Sequence, residues 1–95
     1  MHAVVRRYTG VSALIDEMNR RQGEVSEVLS SIEGFTAYYA VRDGDALTTF
    51  TVCEDEAGTD ESNAVAAEWV RDNLPTLTVS ASQVSGGDVF LSVTG

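Results

Sequence analysis

Residues 34 to 54, GFTAYYAVRDGDALTTFTVCE, constrain the fold more than any other stretch. Phe35, Ala37, Tyr39 and Val41 alternate with Thr36, Tyr38, Ala40 and Arg42. β-Branched and aromatic residues suit a pleated, partly buried surface, so this half reads as a strand. Leu47, Thr49, Thr51 and Cys53 alternate with Thr48, Phe50 and Val52 in a second strand of similar length. Between them, in Asp43-Gly44-Asp45, Gly44 can take the positive φ of a tight hairpin turn. Apolar groups occur on both faces of this ribbon, so both faces need cover.

The flanking segments supply part of it. Met1 to Tyr8 reads as a strand broken by Thr9-Gly10. From Val11 onward, Leu14, Ile15, Met18, Gln22, Val25, Leu29 and Ile32 recur at three- and four-residue steps and line one side of an α-helix. Ser12 suits the N-cap, Asp16 and Glu17 suit the helix dipole, and Gly23 predicts a local irregularity. Gly34 ends this helix and feeds the hairpin. A second helix is expected to begin near Thr59 or Asp60 and to stop at Leu74, before Pro75. Its Ser62, Ala66, Trp69, Val70 and Asn73 share one side. The tail offers two strand-like runs, Leu77 to Val84 and Asp88 to Val93, divided by Ser85-Gly86-Gly87; the second, with Val89, Leu91 and Val93 in alternation, is the better strand.

Strand, helix, strand, strand, helix, strand is the order of a ferredoxin-like split βαβ fold: an α+β domain with an antiparallel sheet and two helices on one face. One layer of helices leaves the other sheet face bare. A second sheet from an identical chain would cover it, which makes a homodimer the expected assembly.

At 95 residues the chain is expected to form a single domain, 1–95, that buries about 60–65% of its unfolded surface. Fifteen acidic residues oppose six basic ones, for a formal charge of −9. Nucleic-acid binding needs concentrated positive charge, and Arg6-Arg7 and Arg20-Arg21 are the only basic pairs, so that class is set aside. A single cysteine, Cys53, cannot close an internal disulfide. No window approaches the roughly 20 apolar residues that cross a bilayer. No signal segment is apparent, and the expected location is the cytoplasm.

With a first strand, a long helix ending in SSIEGFTAYYAVRDGD, then TTFTVCEDEAGTDESNAVAAEWVRDNL and a terminal SGGDVFLSV, the chain resembles the dimeric α/β-barrel superfamily. The resemblance is closest to the antibiotic biosynthesis monooxygenase-like domains, and it covers nearly the whole chain. It implies a homodimer with a pocket between sheet and helices in each subunit. It also implies an activity of the kind found in cofactor-free oxygenases of phenolic or anthrone-like compounds, haem-degrading enzymes, or members without an assigned reaction. The haem-degrading branch uses an Asn on an early strand, a Trp on the second helix and a His after it. Trp69 matches the aromatic, but HAVVRRY offers no Asn and no His follows Trp69. No haem ligand carries over.

The candidate ligand-pocket residues follow from chemistry. Trp69 can stack on an aromatic compound while Ser62 and Asn73 orient it, against the alternative of core packing. Tyr8, Tyr38 and Tyr39 can offer hydroxyls to a carbonyl or phenolate, and Tyr38 and Tyr39 point to opposite faces. His2 is the only imidazole, suited to a general base but close to the chain start. Arg42 is expected to pair with Asp43 or Asp45 across the turn. No metal-ligand spacing or phosphate-binding glycine loop is present, and no cofactor is expected. The sequence thus supports two readings: a cofactor-free monooxygenase acting on a planar aromatic compound, and a non-catalytic small-molecule-binding or regulatory dimer.

Overall fold

A computed structural model describes residues 1–95. The elements run β1 (His2–Tyr8), α1 (Ser12–Arg20), α2 (Gln22–Ser30), β2 (Phe35–Asp43), β3 (Ala46–Cys53), α3 (Glu56–Asn73) and β4 (Gln83–Asp88). The four strands form one antiparallel sheet in the order β2-β3-β1-β4. The helices lie on one of its faces, giving the expected ferredoxin-like α+β architecture.

The hairpin turns where its glycine allows. Gly44 has φ +62°, and Asp43 pairs with Ala46 across the turn. The backbone N–H of Val11 donates to Asp45 O at 3.0 Å, which ties the start of α1 to the hairpin tip. A bulge between Phe35 and Ala37 shifts the register at the other end of β2, bringing Phe35 to the helix-facing side with Tyr38, Ala40 and Arg42. Antiparallel partners share a face. Tyr38, Thr49, Thr51, Val4, Arg6 and Tyr8 therefore face the helices, while Tyr39, Val41, Phe50, Val52, Val5 and Arg7 face away.

The long first helix breaks in two at Arg21, whose φ of −114° and ψ of +38° lie outside the helical region. This is the irregularity expected near Gly23, and three helices cover the sheet rather than two. The Arg21 guanidinium spans the break, pairing with Glu17 and Glu24 and donating to Asn73 Oδ1 at 2.6 Å. Ser12 does not cap α1: Val11 occupies the cap position without a side-chain bond, and Ser12 is the first helical residue. α2 ends at Ser30, and Gly34, at φ +79°, makes the turn into β2.

α3 starts earlier than Thr59. Asp55 is its N-cap and accepts from Gly58 N at 3.0 Å. Thr59 is fully buried and donates instead to Glu56 O at 2.9 Å. A Cβ on Gly58 would lie 2.7 Å from Cys53 Cβ, so this glycine sets how closely the helix approaches the end of β3. Cys53 is buried under that contact, and desolvation, more than the nearby Asp55, pushes its thiol pKa up. Val11, Leu14, Ile15, Leu47 and Trp69 form the core between the helices and the sheet.

The last strand corrects the sequence reading. β4 is Gln83–Asp88 and runs through Ser85-Gly86-Gly87, the segment that the sequence reads as the divider between two strand-like runs. β1 offers it a free edge, and pairing through backbone groups needs no apolar alternation. Gly86 fits because a Cβ there would lie 3.2 Å from Val4 Cγ2 and 3.3 Å from Ala3 O. Beyond Val89 N, which donates to Met1 O, the expected strand is not paired. Phe90, Leu91 and Val93 are 96%, 71% and 85% exposed. No helix is long and apolar enough to cross a membrane.

Candidate functional site

Between the sheet and the helices lies a cavity of about 570 Å³ whose walls are mostly apolar. Tyr8, Thr49 and Tyr38 come from β1, β3 and β2; Trp69 and Asn63 come from α3; Met18 comes from α1. A second cavity, of about 700 Å³, opens between α1, α2 and β2. The two are neighbours, since Met18, Val25, Leu29, Tyr38 and Leu47 line both. Each falls within the range of small-molecule sites.

The cavity's polar groups are few and convergent. Burial raises the Tyr38 pKa to about 12, the neighbouring Tyr8 adds to the rise, and the Thr49 hydroxyl and Arg6 oppose it. Burial raises the Tyr8 pKa as well, against the pull of Arg6. Both phenols keep their protons at neutral pH and act there as O–H donors, not as bases. Nothing that lines the cavity is a carboxylate, an imidazole or a thiol.

Trp69 is fixed in the wall from two sides. Its ring packs in the core cluster, and its indole N–H donates to Glu24 Oε1 at 3.1 Å. The two polar residues expected to share its face are spent elsewhere. Ser62 is buried and donates to Thr59 O at 2.6 Å, while Asn73 donates to Trp69 O at 2.9 Å and accepts from Arg21. Neither lines the cavity. Tyr39 stands on the opposite sheet face, 65% exposed. His2 Nδ1 lies 2.9 Å from Thr59 Oγ1, at the other end of β1 and away from the cavity. Arg42 pairs with Asp16 at 3.1 Å and reaches Gly44 O, not Asp43 or Asp45. Of the sequence candidates, the structure brings together Trp69, Tyr38 and Tyr8. Sequence reasoning missed Arg6 and Thr49. The register of β1 and β3, which puts them opposite each other, was the signal that could have found them.

The fold can be placed among solved structures. This is the fold of the antibiotic biosynthesis monooxygenase-like domains. The NE2512 protein of unknown function from Nitrosomonas europaea superposes with a TM-score of 0.69 at 18% identity, over 99% of this chain and 93% of its own. SnoaB, a cofactor-independent oxygenase from Streptomyces nogalater, gives 0.66 at 13% identity, over 99% and 97%. Rv0793 from Mycobacterium tuberculosis gives 0.65 at 14% identity, over 98% of each. No family model matches the chain, and no curated protein does.

Monooxygenase-like folds also include a haem-binding case: MhuD, seen with two manganese protoporphyrin IX molecules per active site, at a TM-score of 0.70 and 13% identity over the full length of both chains. The present cavity offers a haem iron neither an imidazole nor a thiolate. An axial ligand needs an imidazole, a thiolate, a thioether or a phenolate. The cavity has no histidine or cysteine, which leaves the Met18 thioether and two phenols whose pKa burial raises.

Proposed function

We propose that this monooxygenase-like chain binds a planar phenolic compound in the cavity beside Trp69 and oxygenates it without a cofactor. The observation that carries this reading is the pairing of Tyr8 and Tyr38 as protonated donors on the floor of an apolar cavity walled by an indole. A quinol- or anthrone-like compound fits such a site. Its ring stacks on Trp69, and its oxygen accepts hydrogen bonds from the two phenols.

Those bonds strengthen as charge builds on the substrate oxygen, which favours the ionised substrate over the neutral one. The cavity supplies no base, so the proton leaves to water. The resulting electron-rich carbon passes electrons to dioxygen. For an anthrone, the ring CH2 loses both hydrogens and gains one oxygen atom as C=O, and the second oxygen atom leaves as water. The protein's part is to orient the ring and stabilise its charge. Oxygen uptake by the purified protein against a panel of quinols and anthrones tests this, with turnover above the uncatalysed rate as the expected outcome. Neither uptake nor binding across the panel would end it.

One observation favours a second reading. The cavity lining has no carboxylate, imidazole or thiol, and a site of that kind suits binding or regulation without chemistry. Saturable binding of the same panel without oxygen uptake would support it.

The assembly proposed for either reading is a homodimer. Tyr39, Val41 and Phe50 are 65%, 49% and 37% exposed on the sheet face that has no helices, flanked by the half-buried Val5 and Val52. A matching sheet from a second copy would cover them.

A further inference from the structure

The charge distribution around the cavity is the reverse of that of the chain. The protein carries a formal charge of −9 with fifteen acidic residues, yet no Asp or Glu lines either cavity. Three of its six arginines do: Arg6 and Arg71 in the cavity beside Trp69, and Arg42 in the adjoining one.

These arginines differ in what they already hold. The ion pairs of the chain occupy Arg20, Arg21 and Arg42, and Arg7 reaches Thr48 Oγ1 on the far sheet face at 3.4 Å. Arg71 is exposed at the α3 rim. Arg6 is half-buried and has neither an ion pair nor a hydrogen bond. No buried side-chain nitrogen or oxygen lacks a partner, so the unpaired N–H groups of Arg6 are reached by solvent, and the residue itself lines the cavity. The groups that share the cavity lining with it include Tyr8 on its own strand, Thr49 on β3, Tyr38 on β2, Val84 on β4, and Asn63 and Arg71 on α3. None is an anion.

A guanidinium with no ion pair, at the edge of a mostly apolar cavity that holds no competing carboxylate, is free to give charge-assisted bonds to a bound carboxylate or phenolate oxygen. We propose that the cavity takes its ligand as an organic anion, with the negative oxygen held by Arg6 and the adjacent Tyr8 and Tyr38 hydroxyls. This rests on the aromatic-binding reading above and narrows it to anionic aromatics. Arg6 is thereby assigned as a ligand-binding residue.

The experiment uses a matched pair of probes, anthraquinone-2-carboxylate and its neutral carboxamide, with quenching of Trp69 fluorescence as the readout. The carboxylate is expected to bind about 10- to 100-fold more tightly than the carboxamide, the range of a charge-assisted hydrogen bond. Arg6→Gln is expected to remove that preference while leaving carboxamide binding intact. Arg6→Lys is expected to keep part of it. In a third arm, 2-hydroxyanthraquinone is expected to show phenolate absorption when bound, at a pH where the free dye is neutral. A carboxylate preference without this colour change identifies the carboxylate as the anion source.

Equal affinity for carboxylate and carboxamide in the wild-type protein, with no phenolate signal, would overturn the proposal while leaving aromatic binding in place. So would a preference that survives Arg6→Gln. Failure of all three probes to bind would instead remove the aromatic-binding reading on which it rests. Because the wild-type comparison decides by itself, a poorly folded variant does not leave the proposal untested.

Discussion

Trp69 packs among Val11, Leu14, Ile15 and Leu47 while its N–H reaches Glu24, so it serves the core and the cavity wall together. Trp69→Ala is expected to lower the unfolding free energy by about 3–5 kcal/mol in a urea titration. Tyr38 offers a separate check. Burial pushes its pKa in the folded chain up to about 12, above the ordinary tyrosine value of 10.0, so the native state holds this proton more tightly than the unfolded chain. Stability should be flat in this group below pH 10 and fall as pH rises toward 12. Tyr38→Phe should abolish both that fall and the latest tyrosine step in an absorbance titration. Part of this was legible in the sequence. Strand alternation placed Tyr38 and Tyr39 on opposite faces, as found, but could not say which met the cavity. Helical periodicity put Ser62 and Asn73 beside Trp69 without showing that backbone carbonyls and Arg21 would take their polar atoms.

At the level of elements, the seam between α3 and β3 depends on Gly58. Helix propensity alone predicts that Gly58→Ala stabilises by up to about 1 kcal/mol. The added Cβ would meet Cys53 Cβ at 2.7 Å, and overpacking costs about 1–3 kcal/mol. The variant is therefore expected to be the less stable one, with a lower midpoint in thermal unfolding. The hairpin was legible because Gly44 and the alternating runs act locally. β4 was not: its six residues are all exposed and include two glycines, and what makes them a strand is the free edge of β1, which no local pattern encodes. The start of α3 was misjudged for a related reason. Asp55, Thr59 and Asp60 are all competent caps, and burial of Thr59 against the sheet decides between them.

The whole molecule presents one covered sheet face and one bare face. If a second copy covers the bare face, Phe50→Glu, which places charge at the middle of that face, should convert a two-copy species into a single-copy one. Sedimentation velocity at micromolar concentration checks this, with the helical circular-dichroism signal expected to persist. A wild-type protein that sediments as one copy would contradict the assembly. Cys53, sealed between β3 and the first turn of α3 with no exposed surface, adds a property of a different kind. As the only thiol in the chain, it should stay silent toward a thiol-reactive dye until that seam parts. The pace at which colour develops is then a clock for the opening of the native fold.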